Sequence, residues 1–378
     1  MSSAARSLVR KTLSARAHPS TAGILVPVMS LFVIGMVMVF SASSIRAKEL
    51  FGDEFYYLTR QGIGAAIGCA MAGIAVAVPP ARWSRLAPVL YAAALIMLVL
   101  VLHPSIGVAA NGARRWFRFM GFGFQPSEFA KLALILLLAR GLSSIDDRVR
   151  SFTGGFLPPL LLALVPLALI MAQPDLGTAV VIGTVACGML FVAGAHPLHL
   201  GGLVLAGAGA VAAVIAVTPW RVQRVIAFLD PWENSRDSGF QLVQSLIAFA
   251  KGGILGVGLG DSRQKLHFLP EAHTDFIFSV LAEEMGFLGV IFVISLFLAL
   301  VISGLRIASK AETRFEMLAA AGISMLIAVE AFFNLAVVMG LAPTKGLPLP
   351  FFSVGATSLV IHFWLVGILI SIARRTPA

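Results

Sequence analysis

Long apolar stretches separated by short polar ones run through nearly the whole chain, from about residue 22 to residue 373. They fall at roughly 22–44, 57–78, 86–103, 125–140, 153–172, 176–194, 199–218, 276–305, 316–340 and 357–373. A helix needs about 20 apolar residues to cross the hydrocarbon core. Lipid offers no hydrogen-bond partners, so a backbone inside it has to satisfy its own N–H and C=O groups. The pattern therefore predicts an all-α, polytopic membrane protein of about ten transmembrane helices, with 22–373 as a single transmembrane domain.

One interruption is much longer than the rest. Residues 219–275 separate the seventh and eighth stretches and are expected to form a large extracytoplasmic loop. Within it Phe240, Val243, Ile247 and Ala250 recur at helical spacing, with Gln241, Gln244 and Ser245 opposite. That is a short amphipathic helix, too brief to span, lying in the interface or re-entering. Long ordered loops in compact proteins are usually functional, so chemistry is expected here first.

Composition strengthens the membrane reading. Hydrophobic residues make up 58% of the chain and charged ones 12%, about half the charge of a soluble domain, and the mean hydropathy is +0.93. The net charge of +10 does not point to nucleic acid, because the cations lie in loops between apolar stretches; anionic lipid head groups or an anionic substrate fit better. An even number of spans puts both termini on one side. Arg6, Arg10, Lys11 and Arg16 in the 1–21 tail place that side in the cytoplasm, with 374–378 as a second cytoplasmic tail. Arg82, Arg85, Arg140, Arg148, Arg150, Arg306, Lys310 and Arg314 agree. Arg114, Arg115, Arg118, Arg221, Arg224, Arg236, Lys251, Arg263 and Lys265 fall on the outer side, where an anionic ligand or lipid phosphates each account for them. Ser41-Ala42-Ser43 imitates a signal-peptide cleavage site, but the apolar run from Thr21 to Phe40 exceeds the usual ~7–15 residues and is read as an uncleaved first span. Cys69 and Cys187 both fall in apolar stretches and imply no disulfide framework.

The sharpest local signal is the segment Glu271–Phe278, in which Asp275 stands where loop meets span. An acid there is costly unless hydrated, paired or used; partial desolvation would raise its pKa and make it a better base. His273 is placed to orient or protonate it. The residues alone leave a helix-cap role for Thr274 or Asp275 equally open. Glu128 and Lys131 share a helix face at i,i+3 behind Pro126, either as a simple intrahelical pair or as part of a cavity that Arg114 and Arg115 would border. Asp175 sits in a tight break, Gln173–Gly177, where turn chemistry explains most of its presence. Arg60, Glu283, Glu284, Glu330, Asn334 and His362 are further polar groups in apolar surroundings, Glu330 and Asn334 on one face. Gly252, Gly253, Gly256, Gly258 and Gly260 lack the Gly-Lys-Ser/Thr ending of a P-loop and read as close loop packing. No spacing of His, Cys and acids suggests a zinc site, and there is no Gly-x-Ser-x-Gly elbow.

Taken together, the motifs resemble those of the SEDS family (shape, elongation, division and sporulation) of bacterial wall synthesis. The resemblance extends from Ser41 to about Val360. It is carried by NGARRW at Asn111–Trp116, QPSEFAKL from Gln125, QPDLGTA from Gln173, the run from Phe240 to Gly286, and TKGLPLPFFS from Thr344. PEAHTDF and the GDSRQKL before it look more like the cell-division branch than the rod-elongation branch. Ser353-Val354-Gly355-Ala356-Thr357-Ser358 departs from the family's Ser-Tyr-Gly-Gly-Ser-Ser. The resemblance implies a peptidoglycan glycosyltransferase in the bacterial inner membrane. It would polymerise lipid II on the outer face beside a class B penicillin-binding protein and other division or elongation proteins. It maps the family's essential loop acid onto Asp275, and its cation and acid positions onto Arg115, Glu128, Lys131, Asp175 and Lys345. On that reading Asp275 deprotonates the acceptor hydroxyl, and Arg115, Lys131 and Lys345 receive the leaving diphosphate. No cofactor is required, and a divalent cation (Mg or Mn) near Asp275 is left open. A lipid flippase or a non-catalytic scaffold for wall enzymes is the alternative.

Overall fold

The computed structural model describes residues 19–375, apart from 111, 120–121 and 266–268. The basic tail residues Arg6, Arg10, Lys11 and Arg16, and Asn111 of the NGARRW motif, lie outside the described residues. Among the described residues, twelve α-helices follow one another: α1 (Pro19–Phe51), α2 (Tyr56–Ala77), α3 (Pro80–Leu100), α4 (Pro126–Ile145), α5 (Leu157–Ala172), α6 (Leu176–Val192), α7 (Pro197–Ala216), α8 (Pro219–Leu229), α9 (Phe240–Gly252), α10 (Ile277–Ser309), α11 (Arg314–Val338) and α12 (Ala356–Ala373). The amphipathic helix expected near residue 240 is α9; α8 was not anticipated.

Among the described residues, eight helices are long and apolar enough to cross a membrane: α1, α2, α3, the segment Phe152–Ala172 containing α5, α7, α10, α11 and α12. The chain is therefore a multi-pass, largely helical membrane protein. Two of the ten expected spans do not meet that standard. α6 is apolar but has only 17 residues, and α4 carries Glu128, Lys131 and Arg140 within its 20.

Local sequence explains many of the helix boundaries. Proline opens α3, α4, α7 and α8, where a missing N–H costs nothing. Thr313 and Glu316 close a reciprocal capping box on α11. α11 and α12 are the most enclosed helices, whereas α7 buries little beyond Leu200. α12 lies against α2 through small residues: a Cβ added at Gly64 would meet Ala356 at 3.2 Å, and one at Gly68 would meet Phe363 at 2.8 Å. Small residues let membrane helices approach where no hydrophobic force drives them together.

Two features depart from a plain helical bundle. A three-stranded antiparallel sheet, β1 (Val108–Ala110), β2 (Ala113–Phe119) and β3 (Phe122–Phe124), stands where an irregular outer loop was expected. β1 and β3 have three residues each, and the seven of β2, Ala-Arg-Arg-Trp-Phe-Arg-Phe, do not alternate polar with apolar. Its register pairs Val108 with Trp116 and Phe117 with Phe124, whose rings stack at 6.5 Å. The second feature is a break in α10 at Gly286, whose φ of 63° and ψ of −164° are non-helical. The glycine-rich segment supplies the backbone hydrogen bonds there. Val257 and Gly258 donate to the carbonyls of Glu283 and Glu284, while Phe287 and Leu288 donate to Gly253 and Ile254 at 2.9 and 3.2 Å. A Cβ at Gly286 would sit 2.3 Å from the Gly256 nitrogen, so only glycine permits this approach.

Candidate active site

Asp275 ends the segment that leads into α10. The N-cap position is Phe276, and no side chain caps the helix there. Asp275 is therefore not used as a cap. Its backbone is fixed instead: Asn334 of α11 donates to the Asp275 carbonyl at 2.9 Å and to the Leu347 carbonyl at 2.7 Å. One amide thus ties the acid to the 340–355 connection. On that connection a Cβ at Gly346 would lie 3.0 Å from Asp275 Oδ2, so the carboxylate rests against glycine backbone. Among the described residues its carboxylate forms no hydrogen bond or ion pair within salt-bridge distance.

The residue keeps a limited opening to its surroundings, yet its carboxyl is desolvated by its neighbours. That burial, reinforced by the negative charges of Glu271 and Asp175 and opposed by Arg224, pushes its pKa up to about 7. An ordinary aspartate is fully ionised at neutral pH and a weak base; this one is poised to take a proton.

Four segments surround it. Asp175 caps α6, its carboxylate accepting from Thr178 N at 3.2 Å and Thr178 Oγ1 at 2.9 Å. The turn reading of Asp175 and its place beside Asp275 therefore hold together. Arg115 projects from β2 onto the same break, its Nε donating to Gln173 O at 2.9 Å and its Nη2 to Pro174 O at 2.7 Å. From α8, Arg221 reaches Pro174 O at 3.4 Å and Arg224 reaches Thr344 O at 3.3 Å. Lys345 lies next to Gly346 with its ammonium 5.4 Å from the centre of the Phe333 ring, and burial lowers its pKa. Arg221 and Arg224 were legible in the sequence only as loop charges. The spacing of a short helix between Pro219 and Leu229 was the signal that puts them, three residues apart, on one face.

Glu128, Lys131 and His273 lie elsewhere. Lys131 bonds Glu128 at 2.8 Å and also Glu330, and His362 Nε2 bonds Glu330 at 2.6 Å. All four side chains are buried, and Glu128 Oε2 has no partner. Glu330 precedes Asn334 by one helical turn, so this network lies about 5–6 Å of helix rise beneath the Asp275 backbone. Arg115 binds the α5–α6 break rather than bordering that network. His273 is buried, its ring 4.6 Å from that of Tyr57 and its carbonyl bonded by Val354 N at 3.1 Å. Burial lowers its pKa to about 4, leaving it neutral. It lines a separate cavity of about 330 Å³ with Arg46, Glu49 and Lys265, and no hydrogen bond links it to Asp275.

Among the described residues no three His, Cys, Asp or Glu side chains gather at metal-binding spacing. The charges acting on Asp275 are two acids, Glu271 and Asp175, and one cation, Arg224; the acids are not gathered at metal-ligand spacing, and no step below is routed through a divalent ion.

The family model described as cell cycle protein, for FtsW, RodA and SpoVE, matches residues 22–377. The chain is 45% identical over 352 residues to the probable peptidoglycan glycosyltransferase FtsW of Geobacter metallireducens, covering 93% of this chain and 94% of that one. It is 41% identical over 344 residues to stage V sporulation protein E of Bacillus subtilis, covering 91% and 94%. Its fold matches a chain from a structure on the coordination of polymerization and crosslinking by a peptidoglycan synthase complex, with a TM-score of 0.77, 30% identity and coverage of 93% and 97%. The rod shape determining protein RodA of Thermus thermophilus matches with a TM-score of 0.71, 28% identity and coverage of 94% and 97%. By the extent of the family match and by these relatives, the chain belongs to the FtsW/RodA/SpoVE family of cell cycle proteins.

Proposed function

We propose that this protein is a peptidoglycan glycosyltransferase that polymerises lipid II, with Asp275 as the base. The observation that supports this most directly is the Asp275 carboxyl itself: not used as a helix cap, desolvated, raised to about 7, and acted on by the Arg224 guanidinium. In the reaction the hydroxyl oxygen of an acceptor sugar attacks the anomeric carbon of a donor. The hydroxyl proton passes to Asp275, and the bond from that carbon to the phosphate oxygen breaks. The electron pair leaves with undecaprenyl diphosphate. Displacement of an α-phosphate in one step gives the β-linkage, so a single base suffices. The leaving group is already stable and needs positive charge rather than a proton, which Arg115 and Lys345 provide. Lys131 serves a different end, its charge being balanced by Glu128 and Glu330.

Several finer points belong to the same reading. Both termini, including 374–378, lie in the cytoplasm, and the 219–275 segment and Asp275 face the outside of the inner membrane. A class B penicillin-binding protein crosslinks the strands made here.

The test is purified protein in vesicles with fluorescent lipid II, with and without the partner transpeptidase. Glycan strands of increasing length are the expected product. Transbilayer movement of lipid II without any polymer would replace the transferase with a flippase, and neither activity would leave only a scaffold.

A further inference from the structure

Building on the transferase reading, we propose that Arg221 and Arg224 of α8, together with Arg115 of β2, form the seat of the lipid-linked diphosphate, before and after the sugar leaves it.

Three observations converge. First, the three guanidinium groups are drawn together by the fold. Arg115 Nη2 and Arg221 Nη2 share one acceptor, Pro174 O, at 2.7 and 3.4 Å. Burial lowers the Arg224 pKa, opposed by the negative charge of Asp275 and reinforced by the positive charges of Arg115 and Arg221. Second, among the described residues none of the three forms an ion pair with a carboxylate. Backbone carbonyls explain where the side chains sit, and of the nearby acids only Asp275, beyond ion-pair distance, offsets the charge of Arg224, so three like charges lie together with room for a further anion to stabilise them. Third, Arg221 is 9% exposed and its Nε has no hydrogen-bond partner. A guanidinium this buried with an N–H left unsatisfied is costly in a chain without a compensating anion nearby.

The surroundings favour a lipid-linked anion over a soluble one. Trp220 braces both α8 arginines, their guanidinium carbons lying 4.8 and 5.1 Å from its ring centre. Trp220, Ile226 and Leu229 are exposed along the same short helix. Such a helix lies in the membrane interface, with cations on one side for a head group and apolar surface on the other for an isoprenoid tail. Arg224 is also the cation that acts on Asp275, so base and seat lie within electrostatic reach of each other.

The experiment is a binding measurement on the full chain in detergent, independent of turnover, with undecaprenyl diphosphate as probe. Arg221→Gln and Arg224→Gln are each expected to weaken binding at least tenfold. The exposed-loop control Arg236→Gln should bind as tightly as wild type. Thermal melting of each variant confirms that it is folded, and Arg224→Lys, which keeps the charge, should recover part of the loss. Competition by inorganic pyrophosphate supports a diphosphate seat; competition by undecaprenol with no effect of pyrophosphate overturns it. Undiminished binding by both folded glutamine variants also overturns it, even if wild type makes polymer. Binding that depends on these arginines in a chain that makes no polymer would uphold the seat and sink the transferase reading instead.

Discussion

At the scale of single residues, what matters is that Asp275 is held by its backbone and left free at its carboxylate. Asn334 anchors the carbonyl, Gly346 gives the side chain room, and burial together with Glu271 and Asp175 outweighs Arg224 to raise its pKa to about 7. A base works only when deprotonated, so kcat/KM for lipid II polymerisation is expected to rise with pH through about 7, falling roughly tenfold per unit below it. Measurement of initial rates between pH 5.5 and 8.5 checks this; a flat profile across that range contradicts it. Much of this was legible in the sequence, since an acid at a loop–span boundary is expensive enough to be noticed. The role imagined for His273 was not met: adjacency along the chain says nothing about which side of a segment a ring faces, and this one turns to Tyr57. Arg221 and Arg224 were hidden for the opposite reason. Arg224 comes within electrostatic reach of Asp275, and Arg221 reaches the α5–α6 break, only because the chain folds back on itself, which no local spacing records.

At the scale of elements, hydrophobic periodicity located the apolar helices and α9, and it failed where elements are short or held by backbone contact. Two of the strands have only three residues and the seven of β2 do not alternate, and the break at Gly286 depends on a distant glycine segment. The i,i+3 pair of Glu128 and Lys131 was read correctly as a shared face, but its completion by Glu330 and His362 from two other helices could not be seen along α4 alone. That network joins α4, α11 and α12 inside the bundle. Removing its one lysine leaves two buried carboxylates without their cation, a change worth about 3–5 kcal/mol. Lys131→Met is therefore expected to lower thermal stability in detergent sharply, and the double variant Lys131→Met/Glu330→Gln to recover part of the loss. A melting temperature unchanged by the single variant would show that the network does not hold these helices together.

At the scale of the whole molecule, the structure has two polar ends. One gathers β2, the α5–α6 break, α8, Asp275 and the 340–355 connection; at the other, Arg314 bonds Asp146 and the Ala193 carbonyl. In a variant with Cys69 and Cys187 replaced by alanine, Asp237→Cys should react with a membrane-impermeant maleimide in intact cells, and Arg148→Cys only after permeabilisation. The reverse pattern would turn the protein over in the membrane and put Asp275 on the wrong face for wall synthesis. An enzyme built this way keeps a lipid substrate in the bilayer while its head group meets a base and fixed cations at the surface. The most direct measurement is lipid II polymerisation by purified wild type, Asp275→Asn and Asp275→Glu beside the partner transpeptidase. The expected result is no strands from folded Asp275→Asn and slow synthesis from Asp275→Glu; strands made by Asp275→Asn at the wild-type rate would contradict it.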